Sequence, residues 1–256
     1  MAKIEDIPQE NIAAIYLDEE KGQQLIFTRD QLINQLQRVC PEIEKSFDKT
    51  FSEEFKNLSS DLSEILPIQF VGYKNAHESS NNLLITCGDL LRNSANTIIS
   101  ASQTLRCGFR LQSGILLRSV IEMCATVVHL LAKPEDLQKF LADELSSTKS
   151  ISIADKQVPL FGRIWGVLSQ KQIHINSLHA DWYPMKEYID KGEVPASVTL
   201  GMLGVSTMIL AIVTELTYIK SVEMPKYWKI VGEGQFMFIP PDETNLLWAQ
   251  ILFGKK

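Results

Sequence analysis

The stretch ILLRSVIEMCATVVHLL, residues 115–131, combines a mostly apolar composition with three ionisable side chains. Apolar residues cover most faces of a helix drawn through it, which predicts a helix in the middle of a folded core. The polar residues that follow one another three or four positions apart share the remaining face, and they are Arg118, Glu122, Thr126, His129 and Lys133. We call this face the polar seam.

The polar seam has two interpretations. In the first it faces water, and Arg118 and Glu122 form an exposed helix pair worth only ~0.3 kcal/mol. In the second it faces a cleft inside the bundle, where Arg118 must pair with Glu122 because an unpaired buried charge is costly. The sequence leaves both open.

Helical periodicity extends over much of the chain. A helix begins at Thr28 and is expected to end at Cys40-Pro41, because the residue before proline avoids helical geometry. An amphipathic helix over 42–66 is expected to close at Pro67 and Gly72. Pro134-Glu135-Asp136 has the composition of a helix start. Further helices are predicted at 80–104, 109–133, 158–180, 184–191 and 197–220, and SSTKSISIADKQ (146–157) is predicted as an exposed loop.

The two ends of the chain are rich in β-branched and aromatic residues. IAAIYLD and QQLIFT predict one hairpin, and YWKIV and QFMFI predict another, with a short helix after it at 243–252. We expect the hairpins to meet in one small sheet, since isolated hairpins are marginal in water. The predicted fold is mainly α: an up-and-down helical bundle with small β-hairpins near both termini. As a single domain it divides into an N-terminal hairpin (1–28), a helical core (29–225) and a C-terminal hairpin with a short helix (226–256).

Composition narrows the class of protein. The 256 residues are 45% hydrophobic and 22% charged, as in globular proteins, and the net charge of −6 lacks the basic footprint of a general nucleic-acid binder. No apolar leader follows the N-terminus, and the four cysteines contain no C-x-x-C pair, so we expect reduced thiols and a cytoplasmic protein. The apolar segment 199–219 contains Glu215 and four hydroxyl residues, which favours a buried core helix over a membrane span.

A second polar cluster lies in WGVLSQKQIHINSLHADW, residues 165–182. On a continuous helix His179 falls on the apolar face and His174 at its edge, where a hydrogen-bonded core histidine is the ordinary interpretation. The two are five residues apart, whereas helical metal ligands are three or four apart. We therefore expect neither a metal nor a cofactor.

LLRSVIEM (116–123), followed by WGVLSQKQIH (165–174), resembles a group of bacterial helical proteins of unknown function. That group is similar to the HEPN-like superfamily, in which some members are metal-independent ribonucleases of toxin–antitoxin or phage-defence systems and others are non-catalytic. The resemblance aligns Arg118, Glu122 and His174 with the group's recurrent polar positions. The active ribonucleases carry an arginine and a following histidine with four to six residues between them, and no arginine here has that spacing.

Three functions remain in view. The first is a non-catalytic helical interaction protein of a bacterial stress or defence type, acting as a homodimer or with another protein partner and without a membrane. The alternative is a ribonuclease in which Arg118 and His174 handle a phosphate, which would make RNA a partner. The third is a small-ligand pocket along a binding seam of Arg118, Glu122, His129 and His179. The missing Arg–His spacing argues against an enzyme.

Overall fold

The computed structural model describes residues 8–170, 179, 185–232 and 234–240. The protein is a mainly α-helical bundle with two small antiparallel hairpins, which confirms the predicted fold class. Its strands are β1 (Ile12–Asp18), β2 (Gln23–Thr28), β3 (Trp228–Gly232) and β4 (Gln235–Phe238). Its helices are α1 (Gln31–Asn34), α2 (Cys40–Thr50), α3 (Ser52–Glu78), α4 (Asn82–Arg106), α5 (Arg110–Ala132), α6 (Leu137–Leu141), α7 (Ser147–Gln157), α8 (Phe161–Leu168) and α9 (Val194–Thr217).

The helix that contains the opening stretch, α5, lies at the centre of the bundle. It packs against α4, α9, α7 and α8, and one continuous core joins buried side chains from Ile43 to Trp228. The predicted helices at 80–104, 109–133 and 197–220 are present as α4, α5 and α9, with ends that differ by a few residues. These three helices therefore form the centre of the bundle, and α5 carries the polar clusters described below.

Two helices, α5 and α9, are long and apolar enough to cross a membrane by length and composition alone. The most apolar 18-residue window is 83% buried within the protein in α9 and 56% buried in α5. Core helices of soluble proteins have the same length and composition. The prediction that 199–219 is a core helix is thus compatible with the packing, and it stays a prediction.

Two predicted helix ends at prolines are wrong. The chain passes Cys40-Pro41 in helical geometry, because a π-helical turn (Gln35–Val39) precedes α2 and Pro41 falls in the first turn, where its missing N–H costs little. Pro67 lies inside α3 on its exposed side, so the carbonyl left without a donor reaches water. The break falls instead at Phe51, between α2 and α3.

Two further predictions are corrected. Residues 146–157, predicted as a loop, contain α7, which buries Ser150, Ile151 and Ala154 against α5. A helix was also predicted at 184–191. Residues 185–190 have no regular secondary structure and residue 191 lies in a turn, so the described part of this prediction is wrong. In this segment the ring of Tyr188 packs edge-on against Phe47 and Phe51. The segment is therefore held to the core by a side chain and not by helical backbone hydrogen bonds. Of the predicted helix at 158–180, α8 covers Phe161–Leu168 and residues 171–178 lie outside the described part.

The two hairpins form separate two-stranded sheets, so the predicted common sheet is wrong. The C-terminal hairpin is fixed to the bundle, because Trp228 is buried and its indole nitrogen donates to the Ile212 carbonyl at 2.8 Å. The carboxylate of Glu215 also accepts the backbone N–H groups of Lys226 and Tyr227. No hydrogen bond of this kind joins the N-terminal hairpin to another described part of the chain, and the hairpin buries none of its residues. The short helix predicted at 243–252 lies outside the described residues.

Candidate functional site

Arg118 and Glu122 form a compact cluster with Trp165 of α8. The Arg118 Nε and the Trp165 Nε1 each donate to Oε1 of Glu122, both at 3.0 Å. The guanidinium carbon also lies 5.2 Å from the centre of the Trp165 ring system, within the range of a cation–π contact. The Arg118 and Glu122 side chains are 26% and 27% exposed. This end of the polar seam is therefore half-covered by α8 rather than open to water.

His129, at the other end of the polar seam, is sealed inside the protein. Its Nδ1 lies 2.9 Å from Ser150 Oγ on α7, and its Nε2 lies 3.1 Å from Asp136 Oδ2. Lys139 and Lys149 approach the same carboxylate at 2.6 and 3.5 Å. The hydrogen bonds from Lys139 and from the imidazole lower the pKa of Asp136 below its usual value.

The serine, histidine and aspartate of this second cluster are the residue types of a hydrolytic triad. Ser150 is buried, however, so a substrate does not reach its hydroxyl. The cluster instead joins α5, α7 and the turn before α6. Ser150 and Asp136 were not among the predicted site residues. Helical spacing could not indicate them, because neither lies on the same helix as His129.

Arg118 and His129 are eleven residues apart on one face of α5, or ~16 Å along the helix axis. The polar seam is thus divided into two clusters with different neighbours. His179 is half-buried, and His174 lies outside the described residues. The convergence of Arg118, Glu122 and His174 on one site stays a prediction.

A third polar cluster centres on Arg110 at the start of α5. The buried guanidinium pairs with Glu193 at the start of α9, and it also donates to the carbonyls of Gly108 and Lys186. It lies 4.1 Å from the centre of the Tyr188 ring. Because every one of these partners belongs to the protein, Arg110 fixes the 186–193 segment against the bundle.

A cleft of about 260 Å³ opens between α3 and α9. Asp61 and Glu64 lie on one wall and Glu215 and Lys226 on the other, above an apolar floor that includes Met208. Burial raises the pKa values of Asp61 and Glu215. Among the described residues, no group of three or more histidine, cysteine or acidic side chains is placed to hold a metal ion.

The most unusual surface belongs to residues 12–39, which we call the N-terminal arm: the hairpin β1–β2, α1 and the π-helical turn. Nine large apolar side chains of the arm are between 38% and 71% exposed, namely Ile15, Tyr16, Leu17, Leu25, Phe27, Leu32, Ile33, Leu36 and Val39. Tyr16 pairs with Leu25 on one face of the hairpin and Ile15 with Ile26 on the other. Both faces therefore carry apolar side chains that the described residues leave largely uncovered, a pattern typical of strands that are buried on both sides.

No protein-family model, curated protein or solved structure matches this chain. The resemblance to the HEPN-like group therefore stays a prediction from two short motifs, and the functional argument rests on the surfaces and clusters of the structure.

Proposed function

We propose that this protein is a non-catalytic helical interaction protein that acts as a homodimer assembled through its N-terminal arm. The observation that carries the proposal is the apolar surface on both faces of the hairpin, which the described part of the chain leaves largely uncovered. An isolated two-stranded hairpin is marginally stable in water, so the arm gains most from a partner that covers it.

The size of this surface supports a dimer. A buried aromatic side chain covers ~150–250 Å², so half-exposed Tyr16 and Phe27 each leave on the order of 100 Å² uncovered, and the seven smaller aliphatic side chains each leave less. Together the nine offer several hundred Å² over both faces of the arm, of the same order as the ~800 Å² that each partner contributes to a stable interface. Closed two-fold pairing is the commonest symmetry of soluble homo-oligomers, and it covers the arms of both copies at once.

The test is the molar mass in solution, by light scattering over a range of concentrations. We expect a dimer for the native chain and at least about a tenfold weaker dissociation constant for the double variant Tyr16→Ser, Phe27→Ser, because burying each side chain contributes on the order of 1.5–3 kcal/mol. Ile189→Ser is the matched control, since Ile189 is 81% exposed and lies outside the arm. A native chain that stays monomeric at 100-fold higher concentration than the assay's lower limit would refute the proposal.

The biological setting of the proposal comes from the resemblance alone: a bacterial stress or defence role in the cytoplasm. The burial of α9 supports a protein that needs no membrane. Recovery of the native chain from lysed cells without detergent is the expected result, and a chain found only in the membrane fraction would contradict it.

The metal-independent ribonuclease remains the alternative, because Arg118 keeps a quarter of its surface exposed. Against this alternative, the guanidinium of Arg118 is already paired with the Glu122 carboxylate, so its positive charge is not available to bind a phosphate. The small-ligand hypothesis stays a prediction, and two contacts weigh against its seam: His129 is buried against Ser150, and Arg118 is bonded to Glu122. The open cleft between α3 and α9 lies elsewhere.

A further inference from the structure

A long groove runs between α3 and α4 on the outside of the bundle. The two helices are joined by a three-residue turn (79–81) and lie side by side in opposite directions. Two hollows of about 280 and 440 Å³ lie between them, one after the other. The first is lined by residues that include Phe55, Leu62 and Ile99, and the second by residues that include Leu66, Phe70 and Tyr73. We call the two hollows together the α3–α4 groove.

The charge of the α3–α4 groove is opposite to that of the protein. The charged residues that line it are Lys74, Arg92 and Arg106, and no carboxylate lines either hollow. The whole chain carries a net charge of −6. Arg106 is paired with Asp48, whereas Arg92 forms no ion pair with a described residue and lies over the Tyr73 ring. Lys74 is paired with Glu78 at 3.7 Å. The groove therefore presents exposed apolar side chains, with Phe70 72% exposed, next to one cation, Arg92, that has no ion-pair partner among the described residues.

We propose that the α3–α4 groove receives the N-terminal hairpin of a second copy of this chain, so that two copies exchange arms. This inference rests on the homodimer proposed above and names the surface that completes it. Reciprocal exchange closes the assembly, since each copy offers one hairpin and one groove. It places the uncovered apolar surface of the arm against the exposed apolar surface of the groove.

The charges of the two surfaces are complementary. The turn of the hairpin carries three carboxylates and one lysine, a net charge of −2, at Asp18, Glu19, Glu20 and Lys21. Lys74 and Arg92 lie at the end of the groove near the α3–α4 turn. Opposite charges at matching ends of two apolar surfaces fix the orientation of docking and speed the encounter.

The dimensions of the two surfaces also agree. Strands of six and seven residues extend ~20–23 Å. The lining of the groove runs from Phe55 to Tyr73 of α3, eighteen residues or ~27 Å of helix. One face of the hairpin presents Tyr16, Leu25 and Phe27 along its length, which is an apolar edge long enough to follow both hollows.

Charge reversal tests the docking. We expect the groove variant Lys74→Glu, Arg92→Glu to weaken dimerisation at least tenfold. We expect the same loss for the hairpin variant Glu19→Lys, Glu20→Lys, and we expect substantial recovery when all four changes are combined. Lys156→Glu on α7 is the control for added negative charge, and melting curves followed by circular dichroism confirm that each variant is folded.

Cross-linking locates the contact. A carbodiimide joins a carboxylate to an amine only where they touch, so an amide between Glu19 or Glu20 and Lys74 is the expected product. Mixing ¹⁴N and ¹⁵N chains before the reaction shows by mass spectrometry whether the two halves come from different copies. A bond formed only within one copy would overturn the exchange of arms.

The two proposals fail in different ways. If the groove variants dimerise like the native chain while Tyr16→Ser, Phe27→Ser does not, the arm mediates the dimer and the groove is the wrong receptor. If neither set of changes alters the dimer, both proposals are wrong. Loss of dimerisation in both sets, with recovery only in the four-fold variant, supports the arm and the groove together.

Discussion

Glu122→Ala is the most informative single change in the cluster of Arg118, Glu122 and Trp165, because one oxygen of the Glu122 carboxylate accepts hydrogen bonds from two donors. The Arg118 Nε and the Trp165 Nε1 both lose their acceptor when that carboxylate is removed. Hydrogen bonds to charged groups contribute ~1.5–3 kcal/mol, and exposed helix ion pairs contribute only ~0.3–0.5 kcal/mol. Since the arginine and the glutamate keep about a quarter of their exposure, we expect an intermediate loss of about 1–2 kcal/mol in the free energy of unfolding.

The assay is urea denaturation followed by circular dichroism, with a thermal melt beside it. A loss of 1 kcal/mol lowers the melting temperature of a protein of this size by ~2–4 °C. Glu122→Gln is the matched control: its amide oxygen still accepts from the Trp165 indole, so we expect it to cost less than half as much as the alanine. The indole hydrogen bond lies between α5 and α8, so the alanine is also expected to loosen α8.

Two results would refute this reasoning. A change below ~0.5 kcal/mol for Glu122→Ala would indicate that Arg118 and Glu122 behave as an exposed helix pair, as in the first interpretation of the sequence. Equal losses for the alanine and glutamine variants would show that the shared oxygen matters less than the charge. A double-mutant cycle with Arg118→Ala separates the ion pair from the indole bond.

Three further predictions concern packing, pH and activity. Gly72→Ala should lower the free energy of unfolding by about 1–3 kcal/mol in urea, because its new Cβ overlaps the buried Tyr218 ring, whereas Gly166→Ala, with open space at its Cβ, should raise it by up to ~1 kcal/mol. The carboxyl of Asp136 has its pKa lowered in the folded state, so its stabilising contribution is present above its ordinary pKa of 3.8 and is lost as the pH falls below that value. The difference in urea midpoint between the native chain and Asp136→Asn should therefore shrink between pH 7 and pH 3. Purified protein should not cleave labelled RNA at low salt with chelator present, and Arg118→Ala should behave like the native chain.

Each of these has a contradicting outcome. Equal effects of alanine at both glycines would mean that the ring moves aside, and a pH-independent difference would mean that the carboxylate is not preferentially stabilised in the fold. RNA cleavage that disappears in Arg118→Ala and in His174→Ala, with the fold intact, would establish the ribonuclease.

The parts of the fold that could be predicted are those in which one sequence signal dominates. In α4, α5 and α9 the apolar periodicity continues over more than twenty residues, and the predicted ends differ by only a few residues. The signal in α7 is carried by small and hydroxyl residues, including Ser150 and Ala154, so the segment looked like a loop. The predicted helix end at Pro67 was wrong because a proline on the water-facing side of a helix is tolerated. The sequence around Pro67 does not show that it lies on that side of α3.

The polar clusters show the same division. The spacing of Arg118 and Glu122 places them on one helical face, and their direct contact is a local property of a helix. Their third member, Trp165, reaches them from another helix, and Ser150 reaches His129 from α7 in the same way. Such contacts between distant segments depend on how helices cross. Sequence spacing within one helix carries no information on that point.

Two polar side chains of α5 are occupied inside the protein. Arg110 and His129 have their polar atoms occupied by groups of the same chain, and both are buried. A buried charge that is fully paired stabilises one arrangement of helices, but it offers nothing to a substrate. The arm has the opposite character: its large apolar side chains are exposed, and its hairpin buries none of its residues. Exposed apolar surface of that extent is costly in water unless another molecule covers it, and this supports the proposal that the protein acts through its arm.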